Sequence, residues 1–269
     1  MRFSVWALLV LSLAACGGSR PPPASTAQRA DSEPDPEPAP VASTPPQARV
    51  RLIHAAVESN EQQVVLASDG ASTSPTAYQF SSSYVALTPG HHDVSARAND
   101  TELIGASFEL AEGMFTVVAY STADFPVALT LAPDSASTPP SDMAQIRAFH
   151  AIVGQSAIDL CTPSSAPHGD GAPILANVAT GSASAADGSY VPVPGGVELP
   201  LQLRAQNATP CHGRVLGTAH GFTPAAGSNY TLVFVGRTSG RHRVTPELLF
   251  CADPPAVDTS CATLSIEAH

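Results

Sequence analysis

The chain has 269 residues, of which 43% are hydrophobic, 6% aromatic and 13% charged. Its formal net charge is -11 and all 12 of its cations are arginine, so nucleic acid and anionic membrane surfaces are disfavoured as charge-driven partners. The length allows one or two domains, and 19 Gly with 26 Pro suit short strands and turns rather than long helices.

The N-terminus reads as an export signal. Arg2 precedes an apolar run, Phe3 to Leu13, that is too short to span a bilayer. The end of that run, Leu13-Ala14-Ala15-Cys16, resembles a bacterial lipobox. The resemblance implies that residues 1–15 are a signal peptide, removed before a Cys16 that carries a diacylglyceryl group on sulfur. Two or three acyl chains anchor durably where one does not, at about 0.8 kcal/mol per buried CH₂. Gly17, where inner-membrane retention would use Asp, favours the outer membrane of a bacterial cell envelope. Residues 16–46 then read as a tether. Pro21-Pro22-Pro23 and Glu33 to Pro40 lack apolar periodicity and cannot offset ordering entropy by burial. Fully extended, such a stretch reaches at most roughly 90 Å.

From residue 47 the texture is all-β. Arg49 to His54 alternates, with Val50, Leu52 and His54 on one face and Arg49, Arg51 and Ile53 on the other. Ala55 to Val57 is the one place that permits a helical turn. Further strands are predicted over Gln62 to Ala67, Tyr84 to Leu87, His92 to Ala98, Glu102 to Leu110, Phe115 to Tyr120 and Pro126 to Leu131. Turns at Asp69-Gly70, Pro89-Gly90, Asn99-Asp100 and Glu112-Gly113 separate them. That is the rhythm of an antiparallel β-sandwich over residues 47–131.

A second copy follows a linker at 132–142 and fills 143–269. Arg147, His150 and Ala151 repeat Arg51, His54 and Ala55. Tyr190-Val191 repeats Tyr84-Val85, Arg204 repeats Arg97, and Thr231-Leu-Val repeats Thr116-Val-Val. The insertions fall at 162–187 and 206–213, which read as loops. A period near one hundred residues means tandem domains rather than a solenoid.

The recurring elements are Arg-x-x-His-Ala at a strand start, Val-x-Leu-x-x-Asp-Gly, and Tyr-Val-x-Leu-x-Pro-Gly. With an apolar strand after Glu-Gly, they resemble the family catalogued as domain of unknown function number 4397. The resemblance implies an Ig-like sandwich in secreted or lipid-anchored bacterial proteins, often in two copies, and no activity. The second-strand Asp common in that family is Val65 in the first copy and Asp159 in the second. The Asp69-Gly70 turn becomes Pro163-Ser164.

Four cysteines besides Cys16 lie in the second half. An even number in an exported chain predicts disulfides, and Cys161–Cys211 with Cys251–Cys261 is preferred of the three connectivities. A metal site using His168 or His212 is the rival, but no Cys-x-x-Cys pair supports it.

His54 and His150, with Arg51 and Arg147, are the weak candidates for a site, because they recur. Strand parity separates each Arg from its His, so a structural hydrogen-bonding role for the histidines and ion pairing for the arginines are preferred. His91-His92 diverge in the same way, and no Gly-x-Ser-x-Gly elbow or calcium loop is present. No catalytic, cofactor or metal residue is assigned. The expected function is a non-enzymatic binding, adhesion or structural role with a protein or glycan partner. The alternative is a periplasmic or surface hydrolase built near His150 and loop 162–187.

Overall fold

A computed structural model describes residues 45–135, 137–164, 171–184, 188–238, 243–254 and 260–267. Cys16, the signal and most of the tether lie outside the described residues, as does His168. Thr44–His269 packs as one compact unit.

The first half contains β1 (Ala48–Ala55), β2 (Val65–Ser68), β3 (Ala71–Ser72), β4 (Val85–Leu87), β5 (Gly90–Ala98), β6 (Thr101–Leu110), β7 (Gly113–Tyr120) and β8 (Ala128–Pro133). They form two sheets, ordered β4-β1-β7-β8 and β3-β2-β5-β6, around a core that includes Val50, Leu52, Leu66, Val94 and Val117. The β2–β3 and β5–β6 hairpins each turn on two left-handed residues, Asp69-Gly70 and Asn99-Asp100. Two such residues give a turn whose twist matches the strands it joins.

The second half contains β9 (Met143–Val153), β10 (Ala157–Cys161), β11 (Pro173–Ala179), β12 (Val191–Pro194), β13 (Leu201–Ala205), β14 (Val215–Ala219), β15 (Asn229–Arg237), β16 (Val244–Asp253) and β17 (Cys261–Glu267). These make one continuous nine-stranded sheet, ordered β11-β10-β13-β14-β17-β16-β15-β9-β12. It wraps a core of Ile146, Ile158, Leu203, Phe222, Phe234 and Leu248, among others.

The all-β class is what the sequence predicts, with four departures in detail. First, the pairing is not wholly antiparallel. β1 runs parallel to β7, from Ala48↔Gly113 to Ala55↔Tyr120, and β9 runs parallel to β15. The chain crosses to the second sheet and back between these strands, so the returning strand enters alongside the first in the same direction. Second, β11 lies within 162–187, where the sequence predicts a loop, and pairs with β10. Third, Cys251 lies inside β16 rather than after the last strand. Beyond it, β17 pairs with both β16 and β14 and so joins what would otherwise be two sheets. Fourth, the helical turn is a 3-10 turn at Val57–Ser59, after the predicted Ala55 to Val57.

β1 is buried on both faces. Val50 and Leu52 enter the core of the first half. Ile53 and Ala55 point the other way, into an apolar layer with Val118, Phe149, Val233 and Leu249. That layer lies between β1–β7–β8 and β9–β15–β16. The Arg51 face of the repeat is therefore the contact face between halves.

Candidate functional site

Eight polar side chains, Arg51, Thr116, Tyr84 and Asp134 with Arg147, Thr231, Tyr190 and Asp253, form a reciprocal pair of clusters. Arg51 donates from Nε to Thr116 Oγ1 at 2.9 Å, from Nη1 to the Ala252 carbonyl at 2.8 Å, and from Nη2 to Asp253. Arg147 donates from Nε to Thr231 Oγ1 at 2.8 Å, from Nη1 to the Pro133 carbonyl at 2.6 Å, and from Nη2 to Asp134. The strand registers make these partners equivalent. Thr116 sits opposite Ala132 as Thr231 sits opposite Cys251, so Asp134 and Asp253 each lie two residues farther on.

Each carboxylate is completed from its own half. Asp134 accepts from Thr116 at 2.7 Å and from the Tyr84 hydroxyl at 2.6 Å. Asp253 accepts from Thr231 at 2.7 Å and from the Tyr190 hydroxyl at 2.8 Å. Each guanidinium also lies over the tyrosine of its own half, 5.3 Å from the Tyr84 ring centroid and 4.9 Å from that of Tyr190. Both ion pairs have fully buried side chains. Burial opposes the arginine charges, but the carboxylates of Asp253 and Asp134 outweigh it and raise both pKa values above the ordinary range. Burial, followed by these carboxylates, pushes the Tyr84 and Tyr190 hydroxyls up as well, so both stay protonated and donate.

The two histidines lie on the opposite face of their strands and are fully buried. His150 accepts the Ile152 N–H at Nδ1, 3.2 Å away, and meets the Gln155 carbonyl at Nε2, 3.0 Å away. His54 accepts the Ala56 N–H at Nδ1 and meets the Ser59 and Gln62 carbonyls at Nε2, all at 3.3 Å. These partners fix the neutral Nε2–H tautomer. Burial drives the pKa of His150 down to about 4 against the Gln155 hydrogen bond, and lowers that of His54 likewise. Each ring therefore closes the turn that follows its strand. Among the described residues, the hydrogen-bond partners of both rings are backbone groups. The stretch beside His150 from the 162–187 segment touches it through backbone, with the Gly181 N–H donating to the His150 carbonyl at 2.7 Å.

Among the described residues, Ser68, His92 and Asp69 form a Ser-His-Asp grouping. Asp69 Oδ2 and Ser68 Oγ both lie against His92 Nδ1, at 2.7 and 3.4 Å, while Nε2 meets the Thr88 carbonyl at 2.7 Å. A catalytic triad needs serine and acid on opposite nitrogens, so this grouping cannot relay a proton to serine. His91, its neighbour, is exposed and points away. Among the described residues, no group of three His, Cys, Asp or Glu side chains is arranged to hold a metal ion.

The disulfides are those preferred from the sequence. Cys161–Cys211 ties the end of β10 to the β13–β14 connection, and Cys251–Cys261 joins directly opposed residues of β16 and β17. Two such bridges belong to an oxidising compartment. Asp159 takes a structural part beside the first bridge. Its carboxylate accepts the N–H groups of Asn177 at 2.8 Å and Cys211 at 3.0 Å, both left-handed residues. Asn229, which heads a sequon, is fully buried, and its amide donates to the carbonyls of Ser137 and Pro254.

Asp134 and Asp253 are the polar residues that sequence reasoning missed. Asp134 fell in the linker 132–142 and Asp253 beyond the matched strands. The available signal was the recurrence of Asp two positions after each equivalent residue, in Ala132-Pro-Asp134 and Cys251-Ala-Asp253.

Among the described residues, no helix is long and apolar enough to cross a membrane. No curated protein matches the chain. A model of the family described as a domain of unknown function (DUF4397) matches residues 48–161, one copy that runs from the first residue of β1 to the last of β10.

Proposed function

We propose that this chain is a lipid-anchored protein of the bacterial cell envelope that presents its two β-halves as one rigid, non-enzymatic unit to a protein or glycan partner. The observation that carries this reading is the use made of the repeated polar residues. Arg51 and Arg147 are consumed by ion pairs between the halves, and His54 and His150 by backbone groups. The residues that would have built a hydrolase near His150 thus hold the fold together. The oxidising address implied by the disulfides agrees with export. The lipobox resemblance at Leu13 to Cys16 supplies the anchor.

Cell fractionation of a Cys16→Ser variant tests the anchor. The variant is expected in the soluble fraction, and unchanged retention in the membrane fraction would overturn the lipid assignment. Capture from envelope extract, with the full mature chain as bait, tests the binding role. Repeated failure to retain any protein or glycan would count against it.

A further inference from the structure

The second half carries a basic cavity that its duplicate lacks. A cavity of about 410 Å³ opens between the start of β14 and the β15–β16 hairpin. Arg214, Arg237 and Arg243 line it, over an apolar floor that includes Leu216 and Pro246. All 12 cations of this acidic chain are arginine, so gathering three of them at one opening is a large local departure from a net charge of -11. Arg237 is partly neutralised by Glu58. Among the described residues, neither Arg214 nor Arg243 has an ion-pair partner, which leaves an excess of about two positive charges at the mouth by formal count.

Duplication supplies an internal control. The corresponding hairpin connection of the first half, residues 121–127, holds Asp124 and no cation, and the strand equivalent to β14 begins Thr101-Glu102. The arginines are therefore no requirement of the sandwich, since the first half closes the same corner without them.

We propose that this cavity binds a phosphoryl group, a deepening that rests on the binding role proposed above. Guanidinium forks match oxyanions through paired N–H donors, five per arginine. Two unpaired arginines offer more donors than the two oxygens of one carboxylate can use. A phosphate monoester presents three terminal oxygens and nearly two negative charges, which suit both the donor count and the local excess. The group can arrive as free phosphate or as an esterified headgroup; the chemistry recognised is the same.

The test is titration of the full mature chain in detergent with inorganic phosphate, sn-glycerol 3-phosphate and acetate, followed by calorimetry and by chemical-shift changes of the arginine side chains. Phosphate and glycerol phosphate are expected to bind at least tenfold more tightly than acetate. The exposed substitutions Arg214→Gln and Arg243→Gln should each weaken phosphate binding several-fold, and together abolish it, with an unchanged melting temperature in the absence of ligand. Glycerol phosphate binding at least as tightly as phosphate assigns an esterified headgroup; weaker binding assigns the free ion. Equal binding of acetate and phosphate, or phosphate binding that survives the double substitution, would overturn the proposal. Such a failure leaves the anchored binding role standing, because fractionation and capture test that role without reference to this cavity.

Discussion

Arg51 of the first half is paired with Asp253 of the second in a fully buried ion pair, and Arg147 with Asp134 repeats the pair in the opposite sense. Each half thus gives an arginine and receives one. The energetic consequence is asymmetric. Bringing two charges out of water is costly, so an intact pair adds little net stability, but removing one partner strands a buried charge. Asp253→Ala and Asp134→Ala should each cost roughly 3–5 kcal/mol. Urea unfolding measures this, and a loss below about 1 kcal/mol for either variant would show that water reaches the stranded arginine.

Acid should weaken the fold through the histidines. His150 titrates near 4 when folded and near its ordinary 6.5 when unfolded. The unfolded chain therefore takes up the proton first as pH falls. Stability is intact above about pH 6.5, declines between about 6.5 and 4, and has lost roughly 3 kcal/mol from this residue below that range. His54 acts in the same direction. Unfolding free energies of the chain and of His150→Gln, compared across this window, should diverge, with the variant flatter. Parallel profiles would mean that His150 is already charged or hydrated in the folded state.

The disulfides act on the second half alone. By the chain-entropy estimate, Cys161–Cys211, separated by 50 residues, is worth about 4 kcal/mol, and Cys251–Cys261, separated by 10, about 3 kcal/mol. Thermal unfolding of Cys161→Ala/Cys211→Ala should fall further than that of Cys251→Ala/Cys261→Ala. The reverse order would indicate that fastening β17 matters more than closing the longer loop.

Gly217 admits β17 to the sheet. A Cβ at this position would lie 2.3 Å from the Ile266 side chain and 2.7 Å from the Glu267 carbonyl, and backbone cannot swing aside. Gly217→Ala should cost about 1–3 kcal/mol. It should also raise amide exchange across Cys261–Glu267 while leaving β1 to β8 protected. Unchanged exchange in that strand would contradict its placement between β14 and β16.

Local pattern made much of this fold legible. Alternation and two-residue turns marked β5, β6 and β7 in the first half to within about two residues, because one face of each meets a core and the turn residues are specific. The recurring sequence pattern then pointed to similar strands in the second half. The failures share a cause. β17 has no counterpart in the first half, and β11 answers only to the two-residue β3, so no patterned repeat pointed to either. Parity correctly separated Arg51 from His54, yet it cannot tell a solvent face from one covered by another domain. The Arg51 face is buried only because the second half packs on it, a contact between residues about two hundred positions apart. Asp134 and Asp253 are easily overlooked for the same reason, although their spacing recurs. Neither lies in a patterned strand centre, and each gains its meaning from an arginine in the other half.

The ion pairs of Arg51 and Arg147 hold the two halves together as one unit. Differential scanning calorimetry of the chain checks this. The chain should unfold in a single transition with equal calorimetric and van't Hoff enthalpies, which splits into two when Arg51→Met and Arg147→Met are combined. Two separate transitions in the unsubstituted chain would contradict it.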